Sequence, residues 1–150
     1  MVTPSFIRPL ESADRSEFLQ MSQIFYASDA VLHPVDESYH ERAFDELLRS
    51  QDYLMGFALL HQGQIAGYAL LNKTYSREAG GIVIWIEELY VKPAYRGQGL
   101  ASQFFDWLEQ NVPAARYRLE AEPDNARAIA LYRRKGFSPL PYAQMVKDTI

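Results

Sequence analysis

Apolar and polar positions alternate along the chain with two different periods, and the switches between them mark out its elements. A short apolar run at Phe6, Ile7 and Leu10 predicts an opening strand, and residues 12–14 offer N-caps for a helix over residues 15–26. Ala43, Phe44, Leu47 and Leu48 recur at helical spacing after the start signals Pro34 and Asp36, so a second helix is expected there, with residues 27–36 as a loop. Residues 56–60 and 65–72 flank Gln62-Gly63-Gln64 and predict a β-hairpin. Residues 74–81, small and charged, read as a connection into a long strand over residues 82–91. The helical period returns at Ala101, Phe104, Phe105 and Leu108 and stops at Asn111 and Pro113. Tyr117, Leu119 and Ala121 then alternate with Arg118, Glu120 and Glu122 as a strand. A helix over residues 125–135 ends at Gly136, where a left-handed cap is favoured, and residues 142–148 are expected to return as a last strand. A strand, a helix and a strand of these lengths make a parallel crossover unit within an α/β (α+β) chain.

The junction at residues 86–101 holds the most specific signal. An apolar strand enters a turn carrying Arg96, Gly97, Gln98 and Gly99, and the turn opens straight into the helix at Leu100, Ala101 and Ser102. The first N–H groups of a helix lack intrahelical partners and sit at the positive end of its dipole, so they attract phosphate oxygens. Glycine lets the main chain approach a bulky ligand and accept positive φ. The plainer reading is an ordinary strand-to-helix turn. The nucleotide P-loop spacing is absent, and so is the three-glycine dinucleotide fingerprint.

Arg96-x-x-Gly99-x-Ala101, preceded by Leu89-Tyr90-Val91, resembles the cofactor motif of the GNAT acetyltransferase superfamily. Downstream, Asn125-x-x-Ala128-x-x-Leu131-Tyr132-x-x-x-Gly136-Phe137 is similar to that family's second cofactor element. The resemblance covers the whole chain as a single domain, residues 1–150. It implies the GNAT fold: a mixed, mostly antiparallel sheet with a parallel β-α-β crossover at the cofactor site and flanking helices. It also implies acetyl-coenzyme A as cofactor, with the pantetheine arm on the main chain of Leu89, Tyr90 and Val91 and the pyrophosphate at residues 96–102. By the same match Asn125 bonds the pantetheine, Ala128 gives clearance, and the Tyr132 hydroxyl reaches the thioester sulfur.

Acetyl transfer to an amine needs a base, because an ammonium with pKa near 10.4 is neutral in only about one molecule in a few thousand at pH 7, a handicap of roughly 4–5 kcal/mol. A proton donor for the departing thiolate also helps, and a phenol stays protonated at neutral pH. Glu87 and Glu88 interrupt an otherwise apolar strand just before the turn. Alternation places them on opposite faces, Glu87 with Leu89 and Val91 and Glu88 with Tyr90, unless a bulge resets it. Residues 86–91 also resemble the corresponding segment of spermidine/spermine N-acetyltransferases, which implies Glu87 as base and Glu88 as a contact to the substrate amine. Each of these residues also has a plain structural reading: strand charges for the glutamates, a core aromatic for Tyr132, a helix cap for Asn125.

Composition narrows the rest. The chain has 150 residues, 48% hydrophobic and 23% charged, and no cysteine, so disulfides, thiolate metal sites and cysteine nucleophiles drop out. His33, His40 and His61 show no metal-ligand spacing, and no metal is expected. A net charge of −4 argues against nucleic acid, and no stretch has the length of a membrane span, so a cytoplasmic setting is expected. Asp29, Asp36, Glu37, Glu87 and Glu88 favour a small cationic, polyamine-like acceptor. A protein acetyltransferase acting on lysine or an N-terminal amine fits the same cofactor residues, as does a non-catalytic acyl-coenzyme A-binding module. A homodimer is compatible with the resemblance.

Overall fold

The computed structural model describes residues 6–150. Its elements follow in the order β1 (Ile7–Pro9), α1 (Arg15–Tyr26), α2 (Glu37–Arg49), β2 (Leu54–His61), β3 (Gln64–Ser76), β4 (Gly81–Val91), α3 (Leu100–Asn111), β5 (Arg116–Leu119) and α4 (Ala126–Arg134). The strands form one sheet in the order β1-β2-β3-β4-β5, antiparallel except for the parallel β4–β5 pair. This is the mixed sheet and crossover expected for the GNAT fold.

The two sheet faces carry separate cores. On one side Phe104, Phe105 and Leu108 of α3 pack on Ala69, Leu71, Ile84 and Ile86, with Leu131 and Tyr132 of α4 at the border. On the other, Phe18, Met21 and Phe25 of α1 and Phe44 and Leu47 of α2 cover Ala58, Tyr68, Leu70 and Tyr90. Alternate residues of β3 thus serve opposite cores, as a strand buried on both faces requires.

Local chemistry explains most boundaries. Asp36 caps α2 through its side chain, which accepts from the Ser38 N–H at 2.9 Å. The hairpin turn is tighter than expected, because Gln64 already pairs with His61 and only Gln62 and Gly63 remain, both at positive φ (52° and 79°). Three expectations need correction. The connection over residues 74–81 is half strand: β3 runs to Ser76, β4 starts at Gly81, and four residues close the turn between them, with the Gly80 N–H donating to the carbonyls of Ser76 and Arg77. The strand expected over residues 117–122 ends at Leu119. The last strand, residues 142–148, does not form, and Met145 and Val146 are 95% and 87% exposed. The adjacent pair Met145-Val146 puts one apolar side chain on each face of any strand over residues 142–148, where Lys147 and Asp148 also fall on opposite faces, so neither face is wholly apolar.

Candidate active site

The site begins where β4 and β5 part. Their pairing runs from Val83↔Arg116 to Ile86↔Leu119 and stops, while β4 stays paired with β3 as far as Val91↔Gly67. At the parting point β3 steps from Leu70 to Leu71 while β4 steps from Glu88 to Ile86, so Glu87 is the extra residue of a β-bulge. The Lys92 N–H donates to the Ala66 carbonyl on the β3 side, so by alternation Tyr90 also faces β3, and the main-chain groups of Leu89 and Val91 face the open side. An edge of main-chain donors and acceptors is thereby left for something other than β5. The Val91 carbonyl there accepts from Arg96 Nε at 2.9 Å. Tyr90 is directed away from this slot: its ring is 4% exposed and lies in the α1/α2 core.

At the end of β4 a 3-10 turn, Pro93–Tyr95, leads to Gly97 at φ 78° and Gly99 at φ 81°, the latter capping α3. A Cβ on Gly97 would meet nothing within 4 Å, and one on Gly99 only Gln103 Nε2 at 3.7 Å. What demands glycine is therefore the left-handed backbone, and what glycine leaves is bare main chain facing open space. The first intrahelical bond runs from the Gln103 N–H to the Gly99 carbonyl, which puts the N–H groups of Leu100, Ala101 and Ser102 at the mouth. Leu100 anchors the turn with a buried side chain, Gln98 is exposed, and Lys92 pairs with Glu17 of α1. These features fit a phosphate-bearing cofactor whose arm lies along β4.

From the other flank comes α4. Asn125 caps it, its Oδ1 accepting from the Ala128 N–H at 3.2 Å, so the capping oxygen is committed and the amide nitrogen is the donor left. Tyr132 packs edge-on against Phe105 and Phe137, at 5.8 and 6.3 Å between ring centres. Burial pushes its phenol up, which keeps the proton on the oxygen.

The bulge changes what the two glutamates can do. Glu87 was expected on the face of Leu89 and Val91, opposite Glu88. Instead, Glu87 Oε2 accepts from Asn72 Nδ2 at 2.7 Å, and Glu88 accepts from Tyr68 at 2.6 Å and Tyr26 at 2.8 Å. Tyr68, Leu70 and Asn72 share the α1/α2 side of β3, so both carboxylates turn to that side, while Leu89 and Val91 turn to the α3 core. Glu88 is 8% exposed and has both oxygens held by phenols. Burial pushes its carboxyl up against the opposing pull of the two hydroxyl bonds, with a smaller push from Glu87. Tyr68 and Tyr26 are in turn raised by burial and by the Glu88 charge.

Glu87 is exposed by area, yet protein surrounds its carboxyl closely enough for lost hydration to raise it. The Glu120 charge adds to this and the Asn72 bond opposes it. Glu120 is a residue that sequence reasoning passed over as the polar beat of a strand. The register Ile86↔Leu119 puts Glu87 and Glu120 next in line, one on each lip of the opening.

Beside Tyr26, between α1 and α2, lies a cavity of about 310 Å³ lined by Gln23, Tyr26, Val35, Glu37 and His40. Glu37 accepts from Gln23 Nε2 at 2.7 Å, and Asp36 is spent as a cap. Among the described residues no group of three or more His, Cys, Asp or Glu is placed to hold a metal ion, and no helix is long and apolar enough to cross a membrane.

Comparison with known proteins bears on the same region. Over 83 residues the chain is 34% identical to thialysine N-epsilon-acetyltransferase of Bos taurus and 32% identical to that of Sus scrofa, covering 53% of this chain and 48% of either relative. The chain thus spans about half the length of these curated relatives. Two solved structures share the fold over nearly the whole chain. A possible acetyltransferase from Clostridium difficile 630 has a TM-score of 0.81 at 17% identity, covering 96% of this chain and 97% of its own. The structure of AAC(6')-Iy in complex with a bisubstrate analog, CoA-S-monomethyl-acetylneamine, has a TM-score of 0.77 at 16% identity, covering 96% and 97%. The sequence profile of the acetyltransferase (GNAT) family matches residues 18–137, from α1 through α4 to Phe137, and the chain belongs to that family.

Proposed function

We propose that the protein is an acetyl-coenzyme A-dependent N-acetyltransferase whose acceptor is the primary amine of a small cationic, polyamine-like molecule. The observation that carries this reading is the parting of β4 and β5 at the Glu87 bulge. It leaves the edge of Leu89 and Val91 open, lets the edge run into the glycine turn, and sets a carboxylate at its mouth. The family membership and the names of the curated relatives support it.

In this reading the N–H groups at residues 97–102 hold the pyrophosphate, the main chain of Leu89 and Val91 takes the pantetheine amides, and Asn125 Nδ2 donates from the opposite flank. Acetyl-coenzyme A brings a thioester carbon on which the new C–N bond forms as the C–S bond breaks. Glu87 takes a proton from the acceptor ammonium at its carboxylate and passes it to solvent, and a raised pKa makes it a better base at neutral pH. Tyr132 gives its hydroxyl proton to the departing sulfur and recovers one from the acylated nitrogen. Glu88 holds Tyr26 and Tyr68 rather than a substrate amine, because both its oxygens are already engaged. The excess of carboxylates around the opening favours a cation.

Calorimetric titration with acetyl-coenzyme A, followed by thiol release across polyamines, amino acids, aminoglycosides and lysine peptides, tests the reading. Binding with release on small diamines or polyamines is the expected result. Release only on peptides would move the acceptor to protein, binding without release would leave a sensor module, and no binding would end the proposal.

A further inference from the structure

The acetyltransferase reading assigns one carboxylate to the acceptor, but the opening between β4 and β5 has two lips. Ile86↔Leu119 is the last paired position, and the chain continues from it as Glu87 on one side and Glu120 on the other. We propose that Glu120 is the second carboxylate of the acceptor site, and that with Glu87 it receives the acceptor ammonium and shares the proton that leaves it. This rests on the acetyl-transfer reading of the same opening.

Three observations support the pairing. First, the cations close by are engaged elsewhere. Arg118, two residues before Glu120, lies over the Trp85 ring with its guanidinium carbon 4.2 Å from the centroid. Arg116, at the start of β5, pairs with Glu78 at 2.9 Å. Among the described residues no ion pair involves Glu87 or Glu120, so two like charges that act on one another lack an ion-paired protein cation. An ammonium supplies the cation.

Second, Asn72 is suited to a partner that changes protonation. It donates through Nδ2 to Glu87 Oε2, while its Oδ1 is buried without a hydrogen-bond partner. An amide turned over presents that oxygen to a protonated carboxyl, so the same side chain serves the carboxylate and the acid. Third, the charge of Glu120 is the second cause, after lost hydration, that holds Glu87 above the usual carboxylate range. The remaining groups around Glu87 are Asn72 from β3, the phenol-bound Glu88 on its own strand, and Tyr26 of α1, which feels the Glu87 charge. None of these is a cation.

The proton balance is simple. The ammonium loses one proton to the carboxylate pair, the pair releases it to water, and the neutral nitrogen keeps its lone pair for the acetyl carbon. Glu120 thus acts by contact with the ammonium and by keeping Glu87 basic.

Glu120 is exposed, so Glu120→Gln is compatible with the folded chain. Its effect is read first in the cofactor-free protein, by carboxyl-carbon NMR titration of Glu87, and then in the pH profile of kcat/KM with the best amine. The Glu87 midpoint is expected to move to lower pH in Glu120→Gln, the acid limb of the profile to follow it, and KM for the amine to rise severalfold. Glu122→Gln serves as the comparison and leaves both midpoints where they are. A Glu87 midpoint and profile unchanged in Glu120→Gln overturn the pair, even in an active enzyme. No turnover of the wild-type protein on any amine overturns the acetyl-transfer reading itself, whatever the titration shows.

Discussion

The floor of the opening and its lips are made of different material. The floor is main chain: the free edge of Leu89 and Val91, the positive-φ glycines at 97 and 99, and the first N–H groups of α3. The lips are side chains: Glu87 on Asn72, Glu120 beyond β5, and Glu88 buried beneath two tyrosines. A main-chain surface binds through groups that every residue carries, so its requirements are negative: no Cβ in the way and no competing strand. A side-chain surface depends on which residue a strand turns to which face, and one inserted residue rewrites that. The two halves should therefore fail differently.

Gly99→Val attacks the floor and should have the largest effect. Gly99 sits at φ 81°, where a β-branched residue is strained, and its Cβ would enter space that the protein itself leaves empty. Affinity for acetyl-coenzyme A measured by calorimetry is expected to fall by about a hundredfold or more, near 2.7 kcal/mol. Equal affinity in the two proteins would remove the turn from the cofactor site. Tyr132→Phe tests the flank without touching the floor. Turnover is expected to fall by about a hundredfold, the lower range for a lost general acid, with cofactor affinity nearly unchanged. Weakened binding with intact turnover would make Tyr132 a packing residue against Phe105 and Phe137.

The same division explains what could be read from the sequence. The glycine turn, the helix opening at Leu100 and the capping Asn125 follow from rules about backbone conformation that act over a few residues, and the structure places them as those rules require. Glu87 and Glu88 stood out as charges in an apolar strand, but their directions did not, because strict alternation sends them apart and the bulge brings them to one side. Glu120 was hidden for a related reason. Its relation to Glu87 exists only through the parallel register of β4 and β5, which is set by a crossover helix rather than by adjacent residues. The missing last strand shows the opposite error. A local β signal at residues 142–148 found no apolar face to bury, and tertiary context overrode it.

On the lips, stability rather than turnover is the sharper readout. Tyr68→Phe removes a hydroxyl from Glu88 in a fully buried position, leaving a carboxylate oxygen unpaired, and should cost about 1–3 kcal/mol in denaturant unfolding at neutral pH. Tyr26→Phe removes the other bond from a half-buried ring that water can partly replace, so a smaller loss is expected. Equal losses would mean that the two phenols are equivalent and that burial does not rank them.

The smallest effect is the most diagnostic. Burial holds the Glu88 carboxyl above its ordinary value of 4.5, so between that value and its folded value the folded chain binds more protons than the unfolded one. Stability from this group is therefore present at low pH, is lost as pH rises through the window, and then stays level. Glu88→Gln removes the slope, so unfolding free energies of variant and wild type should diverge as pH rises from 4 and run parallel once the folded carboxyl has ionised. A flat difference across that range would mean that the Tyr26 and Tyr68 bonds fully offset burial, and that Glu88 is a settled anion rather than a strained one. Gly99→Val, acting only through main chain, should leave the wild-type pH slope untouched. A changed slope there would show that floor and lips are coupled through β4, and the contrast between them would fail.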